Sequence, residues 1–360
     1  MKLTETPTDA EDDRPNVEAL VGGIEAKGAG NSVSVYQQKV EANLVAPLRI
    51  AWYDWRAKLG LSIVAFFVFM ATIWEPMYDE AYLNYAPSFI KPFDSEYRHY
   101  IFGIEQFTIP VIGWTYTGIW QYPLGTNEVG QPILMRIVNA APAMAELVLA
   151  GGVVSIGVAV IVGTTAGYKG GRIDDVLMGA TDVMMTIPGL PLVLLLAAVF
   201  QPSDPFVLGM ILAIDNWPGL ARSLRSQVLT IRNESYVESS RTMGVSTGGI
   251  LFKDVIPQLM PYILISAAAA GKRVITEAVG LYFLGFLPQG APNWGKMMND
   301  AYEMGAITSF DTFYIILWPM LVLAMLSFGL VMLAQGLDKI FNPRLRARHS
   351  RSVGGDGEAD

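Results

Sequence analysis

The sequence predicts an all-α integral membrane protein with six transmembrane helices and both termini in the cytoplasm. Three observations carry this expectation. Of 360 residues, 52% are hydrophobic and only 16% are charged, against about a quarter charged in ordinary soluble domains. Six largely apolar runs of roughly 16 to 25 residues would each, at about 1.5 Å per helical residue, cover a hydrocarbon core of about 30 Å. Most of the 25 Lys and Arg also fall in alternate connections, as the positive-inside rule requires of cytoplasmic loops.

The first run, Lys58–Trp74, is preceded by Lys39, Arg49 and Arg56, which places its start inside. No apolar run precedes residue 59, so this span is expected to direct insertion in place of an ordinary secretory signal. The second, Met144–Gly167, leads to Lys169 and Arg172. Its glycines at 151, 152, 157, 163 and 167 remove bulk and predict close packing against a neighbouring helix.

The third run is Val176–Phe200 and the fourth Phe206–Ala221, followed by Arg222, Arg225, Arg232, Arg241 and Lys253. Met260–Leu284 and Phe313–Gly336 complete the set, and Lys339, Arg344, Arg346, Arg348 and Arg351 follow the last. Lys91, Arg98, Arg136 and Lys296 are the basic residues left for the outside. Lipid cannot satisfy open backbone groups, and the runs are too long for barrel strands, so helices are the form that remains.

These spans divide the chain into a tail at 1–56, a first helix at 57–75, an extracellular segment at 76–143, a five-helix core at 144–337 and a tail at 338–360. A polar cytoplasmic loop at 222–257 interrupts the core. The net charge of −8 sits largely in Glu5–Glu18 and Asp356–Asp360, whose compositions suit disordered, solvated ends. A pI near 4.9 suits a halophile's cytoplasm, where carboxylates hold water and counterions. The outer segment carries Trp114, Tyr116, Trp120 and Tyr122, rings that suit either an interfacial belt or a docking surface for an external partner. With no cysteine, disulfides and thiolate chemistry are excluded and the redox compartment stays open.

Three local patterns lead nowhere. Gly244–Gly248 fits G-x-S-x-G, but no strand precedes it and the two histidines, His99 and His349, lie in the outer loop and the tail. Gly290–Met297 approaches a phosphate-binding loop, yet Met297 cannot ligate magnesium and the loop belongs outside, away from ATP. Two distant histidines without cysteine hold no metal, and the basic residues are spread as topology determinants, which argues against nucleic acid. No catalytic or metal site and no cofactor is expected in this chain.

The stretch "ESSRTMGVSTGGILFKDVIPQLMP" is the polar exception within the greasy half of the chain. Ser235–Glu238 reads as a capping box opening a short helix, and Gly244 as its stop. Ser246 or Thr247 caps a second short helix, which Pro257 and Pro261 are expected to end. Helices of under about three turns are unstable alone. Their apolar residues Tyr236, Val237, Met243, Ile250, Leu251 and Val255 must therefore be buried, under this protein's own spans or in a cleft of a cytosolic partner.

Charges inside the runs are the second informative feature, because they are costly in lipid and tend to face a cavity or a partner. Asp182, Asp215, Lys272, Arg273 and Glu277 qualify. Asp215 and Lys272 both fall near mid-depth by helical rise, so Asp215 is expected to pair with Lys272 or Arg273, as a structural link or beside a translocation path.

The polar stretch resembles the cytoplasmic EAA loop of ATP-binding-cassette (ABC) importer permeases. Glu238, Ser239 and Ser240 stand at its Glu-Ala-Ala positions, Gly244 at its glycine and Ile256-Pro257 at its Leu-Pro. Further strings, in order, resemble the dipeptide, oligopeptide and nickel permease subfamily, in its C-type subunit: Leu124–Gly130, Ala166–Ala197, Trp217–Leu229, Thr276–Phe286, Pro292–Met298 and Asn342–Arg346. Gln131-Pro132, where the family has Arg-Asp, and the two loop serines are departures.

The resemblance implies an ABC type I importer permease core in a prokaryotic plasma membrane, itself without enzymatic activity. Cytosolic ATPase subunits would bind and hydrolyse ATP and be coupled through Tyr236, Glu238, Ser239, Ser240, Arg241, Gly244 and Pro257. A second homologous permease would complete the pathway, and an extracellular substrate-binding protein would deliver peptides, or nickel or another small solute. A stand-alone secondary transporter using the intramembrane charges is the alternative from another class.

Overall fold

The computed structural model describes residues 54–74, 86–99, 107–109, 114–116, 119–287 and 290–341. The two tails, apart from a few residues, and part of the outer segment lie outside them. Four helical stretches among the described residues are long and apolar enough to cross a membrane, and a bent pair makes a fifth if taken as one span.

Helix α1 (Trp55–Phe69) starts where the buried Asp54 carboxylate accepts from the amides of Arg56 at 2.8 Å and Ala57 at 3.4 Å. Its last turn, Met70–Trp74, widens to a π-helix. After α2 (Ile133–Asn139), α3 runs 29 residues from Ala141 to Lys169. It ends at Gly170, whose φ of +65° few side chains adopt.

The predicted third span is two helices, α4 (Gly171–Thr186) and α5 (Gly189–Phe200), meeting at 84°. Pro188 supplies the cause: it has no amide to donate, and it holds Ile187 extended, at φ −75° and ψ 124°. The fourth is likewise divided into α6 (Pro205–Ala213) and α7 (Trp217–Ile231). The ring of Pro218 cannot accommodate a helical carbonyl at Ile214, four residues back, so the chain turns at Ile214–Asn216. Helix α7 also continues ten residues past Ala221, so the predicted polar loop begins as a rigid helix.

The loop contains α8 (Ser235–Thr242) and α9 (Thr247–Ile250), then a π-helical turn at Leu251–Val255 that feeds α10 (Ile256–Phe283). Three expectations change here. The capping box does not form: Glu234 is the N-cap residue, without a side-chain bond, and Ser235 is already helical. Ser246, by contrast, does cap α9, accepting from the Gly249 amide at 3.3 Å. Pro257 and Pro261 do not end the helix. Pro257 lies in the first turn of α10, just after the π register in which the Ile256 amide donates to Leu251 O, and Pro261 is tolerated inside.

Helices α11 (Trp294–Glu303) and α12 (Tyr314–Phe341) complete the order. α1 lies directly on α12 because glycines face each contact: a Cβ at Gly60 would sit 2.3 Å from the Leu333 amide nitrogen, and one at Gly336 2.5 Å from Ala57 Cβ. In α3, Gly151 meets α6 and α10, while Gly163 and Gly167 meet α7, as expected. Gly152 and Gly157 meet nothing within 4 Å, which corrects the reading that all five serve packing.

A core of α1, α2, α3, α10, α11 and α12 centres on Trp294, whose buried indole donates to Ile137 O at 3.0 Å. A second cluster joins α3, α7, α9 and α10 with Val237 of α8. In the outer segment the backbone forms two short antiparallel pairs, β1 (Arg98–His99) with β4 (Ile119–Trp120) and β2 (Phe107–Ile109) with β3 (Trp114–Tyr116). Tyr314 Oη of α12 lies 3.0 Å from Ile90 O and 2.8 Å from Thr126 O, tying that segment to the helices.

Candidate functional site

Two places gather the residues singled out above. The first is the α8–α9 loop. Val237 is wholly buried, with Ile250, Leu251 and Val255, in the cluster formed with α3, α7 and α10. This protein's own helices therefore cover four of the six apolar residues named from the sequence. Met243, 76% exposed, Phe252, 72% exposed, and the partly open Tyr236 and Val245 remain uncovered. Burial pushes the Tyr236 phenol's pKa up, and the nearby carboxylates of Glu234 and Asp254 add to it, so the ring stays neutral.

The exit from α8 is a Schellman turn: the Val245 amide donates to Ser240 O at 3.1 Å and the Gly244 amide to Arg241 O at 3.1 Å. Gly244 has a φ of +78° and nothing within 4 Å of a would-be Cβ. Glycine is needed there for its backbone conformation rather than for space. Ser239 spends its hydroxyl on Ser235 O at 2.8 Å within the helix, which hides its polarity much as an alanine would. The Arg241 guanidinium carbon lies 5.5 Å from the centroid of the Tyr168 ring at the end of α3, a cation–π contact that anchors α8 on the same face as Val237, four residues earlier. Glu238 is exposed and pairs with no cation among the described residues. Pro257 is exposed at the start of α10.

The second place is at mid-span. Arg273 of α10 donates from Nη2 to Asp215 Oδ2 at 2.9 Å and from Nε to Glu277 Oε1 at 2.8 Å. Of the two candidate partners for Asp215, the structure selects Arg273. Asp215 sits in the break between α6 and α7, its side chain 6% exposed, against Gly189, where a Cβ would come within 2.0 Å of its Oδ2. The kink after Pro188 and the break before Pro218 thus meet at one carboxylate. Lys272 is exposed on the adjoining face and borders a cavity of about 500 Å³ between α10 and α12. Asp182 joins none of these: it pairs with Arg222 of α7.

Sequence reasoning missed that α4 and α7 are clamped together. Arg225 donates Nε and Nη2 to the two Asp174 oxygens at 2.6 and 2.5 Å, and Arg232, just past α7, ties it also to α3 by donating to Gly167 O at 3.1 Å. Those arginines were legible as topology determinants, and nothing in the sequence named their partners. No group of acidic or histidine side chains able to hold a metal occurs among the described residues.

Residues 159–347 match the model of the family described as binding-protein-dependent transport system inner membrane component. Among relatives, the oligopeptide transport system permease protein OppC of Bacillus subtilis (strain 168) is 31% identical over 227 residues, 62% of this chain and 72% of that one. The dipeptide transport system permease protein DppC of the same organism is 31% identical over 224 residues, 62% and 68% of the two chains. A solved structure of the MetNI methionine ABC transporter, in inward-facing conformations, aligns with a TM-score of 0.44 at 14% identity, over 57% of this chain and 98% of that one; at that score it adds nothing to the fold described above. The family match spans more than half of the chain and coincides with the helices that carry both sites, so this multi-pass membrane protein belongs to the binding-protein-dependent transport system inner membrane components, the permease subunits of ABC importers.

Proposed function

We propose that this chain is one of two permeases in an ATP-driven importer of dipeptides or oligopeptides, the cargo classes in its relatives' names. The chain crosses the membrane six times, counting α4–α5 and α6–α7 as broken spans. Both termini and the α8 loop lie in the cytoplasm, and residues 76–143 outside. A binding protein delivers cargo from outside, and separate cytosolic subunits bind and hydrolyse ATP.

The observation that carries this reading is the division of α8 into two faces. Val237 locks one face onto the ends of the spans, while Tyr236, Glu238, Ser239 and Met243 stand free on the other. A short helix held this way transmits a push from the ATPase to the spans without bending, and the Schellman turn at Gly244 and the Arg241–Tyr168 contact hold its angle. At mid-span, Asp215, Arg273 and Glu277 link α10 to the α6–α7 break beside the pathway.

Met243→Glu in the assembled transporter tests the coupling. An exposed position predicts a change in folding stability under about 0.5 kcal/mol. Loss of an interface anchor is expected to cost roughly 2 kcal/mol or more, about thirtyfold in ATPase affinity. Retained ATPase subunits and undiminished uptake would refute the assignment. The mid-span charges favour a second reading, ion-coupled transport by this chain alone. It requires uptake by vesicles that contain no ATPase, and none is expected.

A further inference from the structure

Lys272 forms no ion pair among the described residues. It is exposed on α10, about 17 Å from the Phe283 end and about 24 Å from the Ile256 end by helical rise, too deep for its stem to reach either interface. Arg273 beside it already holds two carboxylates, Asp215 and Glu277. No carboxylate among the described residues lies within ion-pair distance of Lys272. A bare ammonium at that depth cannot face lipid; it must face a partner or a water-filled cavity.

The cavity of about 500 Å³ beside it separates these choices. Ala268 and Ala269 of α10 and Leu330, Val331 and Ala334 of α12 form most of the wall, with polar groups along the α10 edge and at Gln335. Water would hydrate the Lys272 ammonium best between polar groups on both helices, and the α12 wall offers only Gln335. The alanines of the wall, Ala268 and Ala269 on one helix and Ala334 on the next, let a third helix approach closely in a membrane. A second copy of this chain would bring another lysine without an ion pair, and its Asp215 and Glu277 each accept from Arg273 through one oxygen while the other oxygen is buried out of a neighbour's reach.

We propose that this groove receives a transmembrane helix of a different chain, the companion permease, and that a carboxylate on that helix at mid-depth pairs with Lys272. The pairing would select the mixed complex over association of identical subunits. This rests on the two-permease reading above, but it is read out by assembly and not by transport, so the two can fail separately.

The test uses the complete transporter, purified through a tag on this chain, with the companion permease quantified per tagged chain. Lys272→Glu is expected to lower the retained companion at least tenfold, and Lys272→Arg to keep it within twofold of the unmodified level. Lysine at one mid-span Asp or Glu of the companion should restore assembly with Lys272→Glu. Ala334→Trp, which fills the groove without touching a charge, is expected to displace the companion as well and guards against a Lys272→Glu chain that does not fold. Companion retained within twofold in both Lys272→Glu and Ala334→Trp would overturn the proposal. So would normal assembly with a changed preference between acidic and basic peptides, which would assign the groove to cargo.

Discussion

Asp215 gathers at one residue what two disrupted helices require. It lies in the α6–α7 break, touches Gly189 just after the α4–α5 bend, and takes a proton donor from α10. Removing its partner while keeping its charge is the severe change, because a nearly buried carboxylate is left uncompensated. Arg273→Met should cost about 3–5 kcal/mol, and adding Asp215→Asn should return part of that, with a coupling of about 0.5–3 kcal/mol between the sites. Denaturation of the two single variants and the double variant in detergent measures it. That Asp215 needed a cation was legible from its depth. That the cation is Arg273 and not Lys272 was not, because adjacent residues on a helix differ by about 100° in direction and only the packing of α10 decides which one faces the break.

At the scale of the element, glycine in a span has two meanings that look identical in sequence. A Cβ at Gly163 would lie 2.4 Å from Ala221 O of α7, whereas one at Gly157 would touch nothing. Gly163→Ala should therefore cost about 1–3 kcal/mol by overpacking, while Gly157→Ala should be neutral or gain up to about 1 kcal/mol of helix propensity. Thermal unfolding of both in the same detergent separates them. Helix ends show a similar limit. The Ser246 cap and the Gly244 stop were legible because each needs a few consecutive residues. The expected Ser235 box lost to a start at Glu234, and Pro257 did not end a helix because it falls in the first turn of α10, where a missing amide has no intrahelical bond to lose. Pro188 and Pro218 were visible, yet the length of the apolar runs around them outweighed them in predicting unbroken spans.

For the whole molecule the open quantity is which ends share a side. The chain has no cysteine, so single cysteines at Ser239, Asp356 and Ser309 report topology without background. Impermeant maleimide added outside intact cells should label Ser309→Cys and leave Ser239→Cys and Asp356→Cys unlabelled until the membrane is opened. Labelling of Asp356→Cys from outside would contradict the six-crossing arrangement.

Composition and the length of the apolar runs by themselves determined that the chain is helical and membrane-embedded, and the ordered motifs determined the family. Both follow from the solvent: lipid demands long apolar runs with their backbone bonds satisfied internally, and that requirement is written in consecutive residues. The tertiary structure alone decided which apolar residues of the loop stay uncovered, where two of the apolar runs break, and which cation of α10 forms no ion pair among the described residues. These depend on which faces of α3, α7, α10 and α12 meet, and residues far apart in the chain settle that together.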